Sequence, residues 1–292
     1  MTVELLGFDN TQRRGAVEAE DDVLPLSMGV VIGVGGSGIQ TVSRVRSAIE
    51  AGRPDAAARS SVEFLGVDAV DLSKQNPPLP AGVDLDPRQM YNLTENVFDA
   101  SDYIRLVGGG TTALSEWWDM SQQAPVGPLI DGLKQSRMLG RLAFYRESST
   151  LAAKIESALS RAVHIKQADL RDGVDRGNSA IAPKVFVVAS SCGGTGSSGL
   201  LEVLHKIWVA ARKLNQTPEV RVFTYLPGVF NDAILRTSSN PVAESANLQS
   251  NAFAFFRELD HFIQRSDELH RSVCNPAATP DPNIPPGELV KQ

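Results

Sequence analysis

The stretch Ser190 to Gly199, SSCGGTGSSG, decides the fold. It follows Lys184 to Ala189 (KVFVVA) and precedes an amphipathic pattern marked by Leu200, Leu201, Leu204, Ile207 and Trp208. A short apolar, β-branched run ended by glycines reads as a strand covered on both faces, as strands of a parallel sheet are. Glu219 to Leu226 (EVRVFTYL) then supplies another strand. Strand, glycine turn, helix and strand in this order form the unit of a doubly wound parallel sheet.

The same unit occurs near the beginning of the chain. Met28 to Val34 (MGVVIGV) reads as a buried strand, and GVGGSG, Gly33 to Gly38, begins within its last two residues. Ile39, Val42, Val45 and Ile49 then recur at helical spacing, with Gly52 and Pro54 as the stop. Val62 to Val67 (VEFLGV) is the second strand of this unit. Between the two units, Leu139, Leu142, Leu151, Ile155, Leu159 and Val163 predict helix over Arg137 to Lys166. Residues 73–130, with Pro77, Pro78, Pro80, Pro87 and a Gly108 to Gly110 run, read as loops and short helices inserted over the sheet. Ala243 to Gln264 is expected to be one long helix. The reading is therefore a flexible tail over 1–24, one three-layer α/β domain over 25–265, and a proline-rich tail over 266–292.

Composition narrows the function classes. The 292 residues are 21% charged and 42% hydrophobic, close to a soluble globular average. The formal net charge of -6, with Lys and Arg scattered along the chain, gives no footprint for nucleic acid. No run approaches the ~18 apolar residues of a membrane span. The opening MTVELLGFDNTQRRGAVEAEDD is polar and acidic where a signal peptide would be apolar, and only Cys192 and Cys274 occur, so a reducing cytoplasm is expected. The four histidines form no cluster at metal-ligand spacing, and no structural metal is expected.

The chemistry resides in the two glycine turns. Gly33, Gly35 and Gly38 match GxGxxG between a strand and a helix, where backbone N–H groups and the helix dipole favour an anion. Alone, this turn suggests a Rossmann dinucleotide site, or a tight turn that needs glycine only for its backbone shape. The Rossmann pattern expects an acidic residue ~20 positions further on, whereas Asp68 lies 30 positions after Gly38. The second turn is not needed by a Rossmann site. Two glycine turns ending neighbouring strands can face one ligand from both sides, and Thr195, Ser197 and Ser198 add hydroxyls suited to phosphate oxygens.

With Gly193, Gly194, Thr195, Gly196 and Ser197, the second turn resembles the GGTG(S/T)G loop of the tubulin and FtsZ superfamily. The first turn, GVGGSGIQTV, is similar to the opening loop of FtsZ, with Gln40 where that family carries an amide near the nucleotide. RMLGRLAF, YLPGVF and ANLQSNAFAFFREL further resemble stretches of the divergent bacterial group called tubulin-like proteins, and the likeness spans residues 28–264. The resemblance implies a mainly parallel, Rossmann-like sheet of the tubulin/FtsZ GTPase-domain type, binding GTP or GDP with Mg²⁺ at the carboxyl ends of the strands.

Residue by residue, the resemblance implies phosphate contacts from Gly35, Gly36, Ser37, Gly38, Cys192, Gly193, Gly194, Thr195, Gly196 and Ser197. Asp68 and Asp71 fall where the family places acidic residues near the ribose and the water shell of Mg²⁺. Arg141 in MLGR matches an arginine that can reach phosphate, and Asn251, with Asn247 one turn earlier, matches the asparagine that reads guanine. The superfamily's second domain and its hydrolytic NxDxxD-like set are not matched: Asp260, Asp267 and Asp281 lack that spacing. The chain is therefore expected to be a fragment or a reduced variant. It is expected to bind guanine nucleotide, to hydrolyse it weakly if at all, and to have further copies of itself as partners in a filament, with neither nucleic acid nor membrane. The rival readings are a Rossmann NAD(P)- or FAD-dependent oxidoreductase and a nucleotide-stabilised scaffold.

Overall fold

The computed structural model describes residues 29–52, 62–69, 85–94, 133, 135–171 and 183–264. The readings for 1–24, 266–292, Asp71 and most of 73–130 fall outside them. Among the described residues, five strands form one sheet: β1 (Gly29–Val34), β2 (Val62–Asp68), β3 (Met90–Asn92), β4 (Lys184–Ser190) and β5 (Glu219–Tyr225). All neighbours are parallel, in the order β3-β2-β1-β4-β5. The helices are α1 (Gly35–Gly52), α2 (Arg137–Arg146), α3 (Ser148–Arg171), α4 (Gly194–Lys213), α5 (Asn231–Thr237) and α6 (Pro241–Gln264).

Strand alternation separates two buried layers. Val30, Ile32 and Val34 of β1 join Val185, Val187 and Ala189 of β4 on one face, packed with Leu142 of α2, Leu151 and Ile155 of α3, Leu200 and Ile207 of α4 and Phe255 of α6. Val31 and Val188 point to the other face, where Ile39 and Val42 of α1 cover them. Each buried aliphatic side chain of this kind contributes about 1.5–3 kcal/mol relative to exposure. Helices on both faces of a parallel sheet give the expected three-layer α/β architecture.

Three details differ from the sequence reading. Met90–Asn92 inside the stretch read as loops is a short strand, with buried Tyr91 at its centre. The helix expected over Arg137 to Lys166 is interrupted at Glu147, whose N–H still bonds to the Ala143 carbonyl at 3.0 Å while Ser148 starts a new helix. Glu147 is held there by Tyr91, whose hydroxyl donates to its Oε2 at 2.6 Å. Burial and this carboxylate push the Tyr91 phenol above its ordinary range. The last helix begins two residues early, at Pro241, a residue suited to a first helical turn because its missing N–H has no partner there in any case.

The chain runs outward from β1 to β2 and β3, then returns to place β4 on the other side of β1. This reversal puts a crevice beyond the carboxyl ends of β1 and β4, the usual ligand position in open α/β sheets. The two glycine turns lie at those two ends.

Candidate functional site

Register aligns the ends of the two strands, with Val34 opposite Ala189. α1 begins immediately after β1, and Gly35 turns the chain with a φ of 74°, a left-handed conformation that favours glycine. A Cβ on Gly35 would lie 3.1 Å from the Gly196 nitrogen and 3.4 Å from the Thr195 Cβ, so the two turns are in direct contact. Gly38 lets α1 press onto β4, since a Cβ there would overlap the Val188 carbonyl oxygen. Part of the glycine pattern thus serves backbone approach, as the plain tight-turn reading holds.

α4 starts from Gly193, which is extended and offers no side-chain cap. The Ser197 N–H bonds to the Gly193 carbonyl at 3.2 Å, and the N–H groups before it lie in the first turn, where a helix offers no internal acceptor. Neither α1 nor α4 carries an acidic residue in its first turn. Two helix starts in contact, each with the positive end of its dipole at the crevice, make a favourable place for an anion.

The hydroxyls of the second turn are directed into the protein. Thr195 Oγ1 donates to Asp68 Oδ1 at 2.7 Å, Ser197 Oγ to the Gly193 carbonyl, and Ser198 Oγ to the Gly194 carbonyl at 2.6 Å. The donors that face an incoming anion are therefore backbone N–H groups. Asp68 ends β2, is 4% exposed, and also accepts from the Ala69 N–H at 2.7 Å.

Cys192 is fully buried against Ile234, Leu248 and Ala252. Burial raises its thiol pKa, partly offset by hydrogen bonding to Ser190. Ser37 sits half-buried in the first turn of α1, where its carbonyl accepts from Thr41 Oγ1 at 2.9 Å. Thr41 also bonds with the Tyr225 hydroxyl at 2.8 Å, which ties α1 to the end of β5. Gln40 lies half-buried beside it.

The segment leading into α2 crosses the start of α4. A Cβ on Gly194 would lie 3.1 Å from the Leu133 Cβ and 3.2 Å from the Gln135 Cα. Gln135 has a φ of 63°, uncommon for a residue with a side chain, and α6 holds it in place. Asn251 Nδ2 donates to the Gln135 carbonyl at 2.8 Å and to the Cys192 carbonyl at 3.0 Å. Asn247 Nδ2 donates to Gln135 Oε1 at 3.1 Å, and Gln135 Nε2 donates to Glu244 Oε1 at 2.9 Å. The structure thus brings Asn247 and Asn251 to the rim of the second turn, with their amide donors on Gln135 and Cys192.

Arg141 lies on α2, where burial lowers its pKa against the opposing charges of Glu258 and Glu202. One turn earlier, Arg137 reaches the second glycine turn itself, through Ser197 Oγ at 3.2 Å and the Ser197 carbonyl at 3.0 Å. Sequence reasoning passed over Arg137, Gln135 and Tyr225; Arg137 carried one signal, its position one turn before Arg141 on the same face. Among the described residues no group of three or more His, Cys, Asp or Glu could hold a metal ion, and no helix is long and apolar enough to cross a membrane.

A family model described as "Tubulin like" matches residues 30–280. No curated protein matches the chain. Among solved structures, CetZ from Methanosaeta thermophila strain DSM 6194 is similar at 14% identity and a TM-score of 0.36, over 81% of this chain and 54% of its own. A GTPgS-bound protofilament of CetZ2 from Haloferax volcanii is similar at 15% identity and a TM-score of 0.29, over 79% of this chain and 56% of its own. The chain spans about half the length of these structures.

Proposed function

From the premise that this chain belongs to the tubulin-like family, we propose that it binds a guanine nucleotide, GTP or GDP, with the phosphates seated between the starts of α1 and α4. The observation that carries this reading is the contact of Gly35 with Thr195 and Gly196, which joins two helix starts at the reversal of strand order. The backbone N–H groups of Gly35, Gly36, Ser37 and Gly38 and of Gly193, Gly194, Thr195, Gly196 and Ser197 are the phosphate donors in this proposal.

Mg²⁺ suits such a site, because it keeps several waters and takes much of its remaining coordination from phosphate oxygens. Asp68 and Asp71 are the carboxylates assigned to its water shell. Arg141 is assigned to phosphate charge. Asn247 and Asn251 are assigned to the base, which requires the Gln135 contacts to rearrange when nucleotide enters. When bound, Mg²⁺ would neutralise phosphate charge, and the chain's own part is to bind and orient the nucleotide. Assembly with further copies of the chain, and a slow GTPase activity, are proposed on the same family ground.

The test is calorimetry and thermal unfolding of purified protein with GTP, GDP, ATP and NADH. A ligand at 100 times its Kd stabilises the native state by about 2.7 kcal/mol, so GTP and GDP should raise the Tm clearly and ATP much less. Equal shifts with GTP and ATP would remove the base assignment. A shift with NADH alone, or with none of the four, would remove the proposed function.

A further inference from the structure

We propose that Arg137 is a positioning residue, clamping the first turn of α4 to α6 so that the N–H groups of the second glycine turn are held in place before an anionic ligand arrives. As far as it concerns nucleotide, this inference rests on the function proposed above.

The clamp is built from three acceptors. Arg137 Nε donates to Ser197 Oγ at 3.2 Å, Nη2 donates to the Ser197 carbonyl at 3.0 Å, and the same Nη2 meets Glu258 Oε2 on α6 at 2.7 Å. Ser197 in turn donates to the Gly193 carbonyl, so the contact extends to the residue that starts the helix. A planar guanidinium presents its donors from several nitrogens in a fixed fork, whereas the three donors of an ammonium rotate about a single nitrogen. The Arg137 side chain is 13% exposed and Glu258 34%, so the ion pair is screened less than a surface pair.

The backbone explains why Arg137 arrives there. Gly140, one turn further along α2, lies so close to α4 that a Cβ would overlap the Gly194 carbonyl and the Ser198 hydroxyl. That close approach brings the start of α2 against the first turn of α4 and leaves Arg137 beside Ser197. An anion held by backbone N–H groups gains most when those groups need no rearrangement on binding. A residue that fixes the turn without touching the ligand therefore affects affinity through geometry.

The experiment uses the whole chain with Arg137→Met, Arg137→Lys, Glu258→Gln and the Arg137→Met/Glu258→Gln double variant. Amide hydrogen exchange over 191–199 is measured without nucleotide, and the Kd for GTP is measured well below the melting temperature of every variant. Losing a charge-assisted bond at a partly buried site should speed exchange of the hydrogen-bonded amides within 191–199, Ser197 among them, about tenfold in Arg137→Met, with residues 35–40 unchanged. The GTP Kd should rise by a similar factor, Arg137→Lys should recover little of it, and the double variant should be no worse than Arg137→Met alone.

Unchanged exchange over 191–199 would overturn the clamp, as would a lower Tm with an unchanged Kd, or full recovery by Arg137→Lys. A parent that binds no nucleotide removes the proposed function and any role of Arg137 in affinity. In that case the exchange measurement still decides whether Arg137 holds the turn.

Discussion

The Thr195 hydroxyl donates to Asp68 Oδ1 at 2.7 Å, joining the first turn of α4 to the end of β2. β1 lies between β2 and β4, so this bond bridges the carboxyl end of β1 beside the Gly35 turn. Both side chains are buried, which raises the cost of leaving either unpaired. Thr195→Val takes one donor from the Asp68 carboxylate and should destabilise the protein by about 1–3 kcal/mol in urea unfolding. Asp68→Asn keeps an acceptor oxygen and should cost less. If Asp68 supports the water shell of Mg²⁺, Asp68→Asn weakens GTP binding with Mg²⁺ present and leaves binding in EDTA unchanged. Equal weakening in both buffers would remove that assignment.

Two glycines in and around the second turn should respond to alanine to very different degrees. Gly140→Ala places a Cβ into the Gly194 carbonyl, which is backbone and cannot rotate away. Overpacking of this kind costs about 1–3 kcal/mol. At Gly193 the nearest atom to a new Cβ is 4.0 Å away, and the residue is already extended. Gly193→Ala should lose about 1 kcal/mol or less, the modest preference of a helix start for glycine over alanine. Chemical denaturation of the two variants checks the contrast. Gly193→Ala is also the cleaner probe of ligand approach, because a side chain at Gly194 would meet Leu133 and Gln135 first.

Most of the sheet was legible because β1, β2 and β4 are largely buried on both faces and read as apolar runs. β5 (EVRVFTY) has a single buried residue and was legible from its β-branched and aromatic residues instead, and the glycine turns after β1 and β4 mark the paired helix starts. β3 has three residues, Met90–Asn92, too few to show a period. The interruption at Glu147 depends on a bond from Tyr91, 56 positions away, so no local pattern could display it. In the site, Gly35 and the turns were readable as backbone chemistry. The destination of a hydroxyl was not, since Thr195 and Ser197 look the same in sequence whether they point at a ligand or at Asp68 and Gly193. Arg137 and Arg141 likewise share one helix face, and only the close approach at Gly140 decides which one meets Ser197.

Asn251 offers a test of what α6 does for the site. Its amide group donates to the carbonyls of Gln135 and Cys192 from a buried position. Asn251→Ala should cost about 2 kcal/mol by leaving these carbonyls without that donor. Asn251→Asp should cost more, because a carboxylate oxygen would then face two carbonyl oxygens. Urea midpoints establish the order, and an Asp variant more stable than the Ala variant would show that the two bonds contribute little. A GTP preference over ATP that survives in Asn251→Ala would confine the residue to holding Gln135 and Cys192.

Glu202 on α4 should make stability fall with rising pH. Burial is the main cause that raises its pKa from 4.5 to about 7, against the opposing pull of Lys206, Ser148 and Arg141. Its Oε1 lies 3.4 Å from Lys206 Nζ without hydrogen-bond geometry, while Lys206 donates to Ser148 Oγ at 2.6 Å. Between pH 4.5 and 7 the folded protein therefore holds a proton on Glu202 that the unfolded chain has released. Linkage then requires stability to decline across this window and to level off above it, by at most about 3 kcal/mol. Below pH 4.5 both states are protonated and Glu202 adds no slope. Glu202→Gln removes the titration, so its urea midpoint relative to the parent's should rise on going from pH 5 to pH 7.5. A parent whose stability relative to the variant does not decline across that interval would place a charged Glu202 in the folded state, with its attraction to Lys206 outweighing the cost of burial.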